Sequence, residues 1–253
     1  MGATRKGDGS GQQPAWHSHG ITHRGYVRRV NEDSYLNLPE QGIWVVADGM
    51  GGHDAGDVAS RRIVESLESI QADKPLAQRV DEIEDRIDAV NDELNALARE
   101  GQGDGTIGST VVALVVEDHV GVFLWAGDSR LYRLRNGHLS QITTDHSQVE
   151  YYISQGLLTR EQAENHPEGH IITRAVGSHD DLQLDADLLE LRPNDRLLLC
   201  TDGLMRHINA TEIEQMLAQG GPEECALEFI DLTLQRGAKD NVTVIVLDVP
   251  EDA

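Results

Sequence analysis

Two short apolar runs, Ile43-Trp44-Val45-Val46-Ala47 and Leu197-Leu198-Leu199-Cys200, lead straight into Asp48-Gly49 and, one residue on, Asp202-Gly203. A continuous apolar run this short predicts a buried strand. A carboxylate at the mouth of such a strand is drawn towards low dielectric and needs a compensating cation. Asn31-Glu32-Asp33 and Lys239-Asp240-Asn241 repeat the pattern and likewise sit where a strand should end. Several such carboxylates are compensated together by hard divalent ions such as Mg²⁺ or Mn²⁺, which prefer oxygen ligands. The pattern points to a carboxylate-bound two-metal centre suited to hydrolysis.

The chain has 253 residues, enough for one large domain or two small ones. Aromatics make up only 4%, so Val, Leu, Ile and Ala must fill the core. The formal charge of −23 argues against a nucleic-acid or anionic-membrane surface, where Lys and Arg supply most of the affinity. It also counts against a two-metal nuclease or phosphodiesterase. No stretch approaches the roughly 18–20 apolar residues of a membrane span. Residues 1–15 carry no apolar signal region and read as a disordered lead-in. Cys200 lies in an apolar run, and a reduced, buried pair with Cys225 in a cytoplasmic protein is expected rather than a disulfide.

Along the chain, residues 55–70 read as a helix with Val58, Ile63, Leu67 and Ile70 on one side. Leu76, Val80, Ile83, Ile87, Val90, Leu94 and Leu97 step by three and four, predicting a second helix with an acidic, solvated outer face that glycines 101–105 end. Residues 110–116, 120–125 and 131–134 are strand-like and predict an antiparallel meander, with Asn136-Gly137 as a hairpin turn. The polar stretch 145–178, with two short helical patches, reads as a flap over a site. Strand patterns return at 182–191, 196–201 and 242–249, and helical ones at 211–218 and 222–235, the last with Pro222 at its start. This order suggests an α+β sandwich of antiparallel sheets rather than a doubly wound parallel sheet.

Within the acidic clusters, Asp48 is the best candidate to bridge two ions, and Gly49 leaves its backbone carbonyl free as a further ligand. Asp202 and Asp240 would complete one ion and Glu32 the other. Asp33 suits an outer role, orienting metal-bound water. Arg28, four residues before Glu32, can bind two phosphate oxygens in a fork. Singly, each of these is more often a turn or a surface ion pair. His53 reads as a hydrogen-bonded loop histidine, and His17, His19 and His23 as an exposed strand edge rather than a soft-metal site. His146 and Ser147 open the flap within reach of substrate, and Leu157 and Leu158 read as packing.

Taken in order, Arg28-Arg29-Val30-Asn31-Glu32-Asp33, Val46-Ala47-Asp48-Gly49-Met50-Gly51-Gly52-His53, Gly108-Ser109-Thr110, Ala126-Gly127-Asp128-Ser129-Arg130, Thr201-Asp202-Gly203 and Asp240-Asn241-Val242-Thr243 resemble the type 2C metal-dependent Ser/Thr protein phosphatases (the PPM family) in their bacterial form. The likeness spans residues 20 to 249. It implies a four-layer α-β-β-α sandwich in one domain over residues 16–253; a monomer is expected. It implies hydrolysis of phosphoserine and phosphothreonine in proteins by direct attack of a metal-bridging water, reversing a Ser/Thr kinase. Position by position, Asp48 looks like the bridging ligand, Gly49 a carbonyl ligand, Asp202 and Asp240 ligands of the first ion, and Glu32 of the second. The cofactors are two Mn²⁺ or Mg²⁺ ions, and Asp128 with Asp202 resembles a weaker third site. Asp33 resembles the water-holding acid and Arg28 the phosphate-binding arginine. Met50 stands where animal members carry a histidine, so the general acid proposed for those members has no counterpart there. The segment 105–110 also looks shortened. A phosphatase-like binding module would need a lost ligand, and every ligand position is filled.

Overall fold

The computed structural model describes residues 16–51, 55–100, 106–163 and 166–251. The expected lead-in at 1–15, the glycines 101–105 and His53 lie outside them. In chain order the strands are β1 (His17–His23), β2 (Asp33–Leu38), β3 (Ile43–Gly51), β4 (Ile107–Ser109), β5 (Val111–Glu117), β6 (Val120–Ala126), β7 (Arg130–Arg135), β8 (His138–Gln141), β9 (Asp185–Glu190), β10 (Arg196–Cys200) and β11 (Val242–Asp248). The helices are α1 (Ala55–Leu67), α2 (Leu76–Glu100), α3 (Gln148–Ser154), α4 (Arg160–Ala163), α5 (Asp202–Met205), α6 (Ala210–Leu217) and α7 (Pro222–Gln235).

Two antiparallel sheets form, one ordered β1-β11-β10-β7-β8 and one ordered β2-β3-β5-β6-β9, with β4 paired to β3. The inner strands β3, β5, β10 and β11 are buried on both faces, and successive side chains point opposite ways. Along β3, Ile43, Val45 and Ala47 pack with α1 and α2, while Trp44 and Val46 enter the space between the sheets. Along β11, Val242, Val244 and Val246 pack with α6 and α7, while Ile245 and Leu247 face the other sheet. Three apolar cores therefore separate four layers, helices, sheet, sheet and helices, as the α-β-β-α reading requires. Double burial is also why these strands read as continuous apolar runs rather than as alternating ones.

Local chemistry fixes several ends. Asn136 and Gly137 take φ of 52° and 76°, the positive pair that a type I′ hairpin turn needs between β7 and β8. Asn209 caps α6 in a reciprocal capping box with Glu212, and Pro222 opens α7. Cys200 and Cys225 are free and buried.

The structure corrects several expectations. The meander breaks after β6: β6 pairs with β5 and β9 in one sheet, while β7 pairs with β10 and β8 in the other. The chain changes sheets across Gly127-Asp128-Ser129, where Gly127 takes a φ of 115° that L side chains rarely adopt. Asp48 does not end β3, because pairing of Gly49, Met50 and Gly51 with β4 carries the strand on to Gly51. Helix α1 stops at Leu67, and its buried face runs through Gly56, Ala59, Ser60, Ile63, Val64 and Leu67. Val58 points outwards, as does Leu97 of α2. Leu157, expected to pack, is 67% exposed.

Candidate metal centre

Asp33 opens β2 and lies directly across from Asp48 of β3. Its carboxylate is buried and spans to the other sheet, where Oδ2 accepts hydrogen bonds from Thr201 Oγ1 at 2.8 Å and Thr243 Oγ1 at 2.7 Å. Asn31 Nδ2 donates to Thr22 Oγ1 at 2.9 Å, and Thr22 and Thr243 share a 2.7 Å hydroxyl contact. Since Thr243 donates to Asp33, Thr22 must be the donor in that contact. Asp33 Oδ1 is buried with no hydrogen-bond partner among the described residues. Burial, then the charges of Asp202 and Asp240, push Asp33 up to about 7 against the pull of the two threonine hydroxyls.

Asp48 is tied to the sheet crossing. Its N–H donates to Thr110 Oγ1 at 3.1 Å, Thr110 N–H donates to Asp48 O at 2.9 Å, and Thr110 Oγ1 meets Ser129 Oγ at 2.7 Å. A Cβ on Gly127 would lie 2.6 Å from Thr110 Cβ, so only glycine lets the Asp128 turn seat there. The Asp48 carboxyl is raised well above the ordinary range by burial and by the charges of Asp33, Asp202, Asp128 and Asp240. Asp128 is pushed up to about 7 by burial, Asp202 and Asp145, with Arg130 opposing.

Backbone packing places the remaining acids. A Cβ on Gly49 would sit 1.9 Å from Gly56 O and 2.6 Å from Glu32 O, so β3, α1 and the Glu32 backbone meet where no side chain fits. Glu32 Oε1 would lie 2.5 Å from a Cβ on Gly56, which sets that carboxylate against the first turn of α1. Asn241 Oδ1 accepts from Glu32 N–H at 2.8 Å, while Nδ2 donates to Arg24 O and Val30 O, clamping the loop before β2 to the start of β11. Gly203 packs so tightly on Asn241 O, 1.8 Å from a notional Cβ, that Asp202 at the start of α5 is drawn towards Asp240.

Two arginines face this cluster. Arg28 grips Asp240 through Nε at 2.7 Å and Nη2 at 2.8 Å. Hydrogen bonding to Asp240 holds its guanidinium further above its already high value, with Glu32 and Asp48 adding to the pull. Arg206 pairs with Asp202 through Nε at 2.9 Å and through Nη2. Its Nη1 lies 3.5 Å from Asp240 Oδ2.

The sequence-predicted acids thus come together as one electrostatic unit. Among the described residues, no three His, Cys, Asp or Glu side chains form a ready metal cage, since Asp202 and Asp240 turn onto arginines. The donor chemistry nevertheless fits a hard divalent cation. Every donor is an oxygen, the charges repel one another, and Asp33 Oδ1 is buried without a hydrogen-bond partner.

His146 and Ser147 both make structural contacts, and Ser147 also lines the cavity beside the cluster. His146 Nδ1 accepts from Gly127 N–H at 3.1 Å, which puts the ring proton on Nε2, 3.2 Å from Asp185 Oδ2. The ring stacks on Trp125, and Ser147 is buried as the N-cap of α3. The threonines 110, 201 and 243 and Arg206 had no sequence-assigned role. The signal for Thr243 was a hydroxyl inside an apolar strand run. A cavity of about 670 Å³ opens between the cluster and the 145–178 segment, lined among others by Asp128, Arg130, Ser147, His170, Asp202 and Arg206.

Comparison with known proteins agrees with this geometry. A family model described as Protein phosphatase 2C matches residues 22–240. The serine/threonine phosphatase stp of Listeria monocytogenes is 36% identical over 240 residues, covering 92% of this chain and 95% of that protein. PppA of Pseudomonas aeruginosa, described as a key regulatory component of T6SS, superposes with a TM-score of 0.84 at 40% identity, over 92% of this chain and 97% of that one. The catalytic domain of the phosphatase PstP, solved in complex with 2 manganese ions, superposes with a TM-score of 0.83 at 33% identity, over 93% and 98%. The chain belongs to the protein phosphatase 2C (PPM) family of bacterial metal-dependent enzymes, and is a protein-serine/threonine phosphatase.

Proposed function

We propose that the carboxylate cluster is the catalytic centre of a phosphomonoesterase that takes phosphate from phosphoserine and phosphothreonine in proteins, opposing a Ser/Thr kinase. The observation that carries this reading is the convergence of buried Asp33, directly across from Asp48, with Asp202 and Asp240, which share Arg206, beside the half-exposed fork of Arg28. Asp48, the Gly49 carbonyl, Asp202, Asp240 and Glu32 would hold two ions, Mn²⁺ or Mg²⁺, and Asp128 with Asp202 a weaker third. When bound, such ions supply a Lewis acid that makes a water nucleophilic at neutral pH.

The chain's own residues do the rest. Arg28 presents a planar fork that fits two phosphate oxygens and sets the ester in line for attack. Asp33 is fixed through Oδ2 by Thr201 and Thr243, so its free Oδ1 is available to accept a hydrogen bond from the attacking water and orient it. Buried Cys200, its thiol pushed up to about 12, is no nucleophile at neutral pH, which favours direct attack by water over a covalent intermediate. Met50 has no proton to give, so the leaving oxygen takes its proton from another source. Residues 16–253 form one catalytic domain in this reading, with 145–178 as its flap, acting as a cytoplasmic monomer.

The test is phosphate release from a phosphothreonine peptide as Mn²⁺ is titrated in and then stripped with EDTA, with Asp48→Asn in parallel. Metal-dependent turnover that the variant loses is the expected result. Tight metal binding without turnover would convert the reading to a non-catalytic binding module.

A further inference from the structure

The chain carries 21 basic residues against 44 acidic ones, so a phosphoprotein approaching the centre meets repulsion unless local cations reverse it. Three arginines line the cavity between the carboxylate cluster and the 145–178 segment. Two are committed to carboxylates that have no other assigned work. Arg130 grips both oxygens of Asp145 at 2.6 to 3.1 Å and also holds Tyr132, and Arg160 pairs with Glu150 at 3.0 Å. Arg206 differs. Its partners are Asp202 and Asp240, the carboxylates that the proposed function gives to metal ions, and its side chain is 47% exposed. Arg28 and Arg206 contact the same carboxylate, Asp240, but Arg206 also lines the cavity.

We infer that Arg206 is a specificity-determining residue: it receives a second anionic group of the substrate, a carboxylate or another phosphate close in sequence to the phosphoresidue held by Arg28. The inference rests on the phosphatase reading. Arg206 follows Asp202 by four residues as the C-cap of the short helix α5, which sets its guanidinium against Asp202 at the edge of the cavity. Divalent cations at Asp202 and Asp240 would take over the charge that Arg206 now neutralises and leave its donors to the substrate. A guanidinium binds a carboxylate or a phosphate by the same planar fork, so either anion fits.

The experiment compares three phosphothreonine peptides at saturating Mn²⁺: one with neutral flanks, one with aspartates beside the phosphoresidue, and one with a second phosphothreonine. Wild type, Arg206→Ala and Arg206→Lys are assayed for kcat and KM separately, and Mn²⁺ affinity is measured by calorimetry. Wild type should prefer at least one anionic peptide over the neutral one. Arg206→Ala should collapse that preference by about tenfold, the scale of one charge-assisted pair, mainly through KM. Lysine should restore part of it, and whichever peptide loses most identifies the anion. Equal losses on all three peptides, no preference in wild type, or a weakened Mn²⁺ isotherm that accounts for the loss would each overturn the inference. Absence of turnover on every peptide by wild type would instead overturn the phosphatase reading beneath it.

Discussion

The carboxylate cluster and the 145–178 segment face each other across one cavity, yet they are built on opposite terms. The cluster gathers Asp33 of β2 with acids in or beside β3, β10 and β11, strands buried on both faces, and its acids are positioned by backbone contacts too close to admit a single methyl group at Gly49 or Gly203. Across the cavity, α3 and α4 bury none of their residues, and Tyr151 and Leu157 stand exposed. That segment is anchored at its ends by ion pairs, Arg130 with Asp145 and Arg174 with Asp185. Rigid placement holds like charges where they repel one another, which a flexible frame would relax. Loose placement leaves a surface able to fit different peptides. The contrast puts the chemistry on one wall and the adaptation on the other.

The largest effect that would break this contrast concerns Asp48. Asp48→Asn should lower kcat/KM on the order of 10³-fold, since the charge stabilisation from metal ions is worth several kcal/mol. The same change removes a carboxylate that four neighbouring acids and burial disfavour. In EDTA, the variant should therefore melt higher than wild type. A variant that melts lower in EDTA would show that the cluster is not held under repulsion.

Arg28→Ala comes next. Its two contacts with Asp240 are charge-assisted but the side chain is half exposed, so its structural weight is small. Losing a phosphate fork should raise KM for a phosphopeptide at least about tenfold, with a smaller change in kcat. An unaltered KM would remove Arg28 from substrate binding and leave it as a surface ion pair.

Most of the architecture was legible because double burial writes itself as short apolar runs and because α2 keeps its three-four spacing for six turns. The acidic clusters stood out for the same reason, although Asp33 opens β2 and Asp240 precedes β11 where strand ends were expected. What could not be read was set by contacts distant in sequence. Nothing local to residues 120–134 says that β6 and β7 belong to different sheets, a division made by pairing with β9 and β10 more than 50 residues away. The hydroxyls that orient Asp33 come from Thr201 and Thr243, on the other sheet. Arg79 breaks the polar-outside rule for α2: it is buried and donates to Val116 O and Gln41 O, carbonyls that a helical wheel cannot display. Val58 and Leu97 err the other way, apolar residues that fit the spacing but fall outside the face the sheet covers.

A smaller effect tests whether the repulsion is thermodynamic. Asp33 stands near 7 in the fold against an ordinary value of 3.8, so between those pH values the folded chain keeps a proton that the unfolded chain has lost. Stability of the metal-stripped protein therefore falls as pH rises from about 4 to about 7, because the folded state binds more protons in that window. Asp128, also near 7, adds in the same direction. Melting in EDTA should drop by several degrees between pH 5 and pH 8, and Asp33→Asn should flatten part of that slope. A slope of opposite sign would mean that the site carboxylates are compensated within the chain itself.

The smallest effect belongs to the opposite wall. Leu157 is 67% exposed, whereas Ile87 of α2 is fully buried against the β2–β9 sheet. Truncating Ile87 to alanine removes core contacts and should cost about 2–5 kcal/mol. Leu157→Ala removes a side chain that little surrounds, so the melting midpoint should stay within about 2 °C of wild type. If the segment adapts to peptides, the same variant should raise KM for a phosphopeptide while leaving KM for p-nitrophenyl phosphate, which has no peptide to hold, in place. A large loss of melting temperature would mean that Leu157 packs in solution, and the loose wall would then be as fixed as the one it faces.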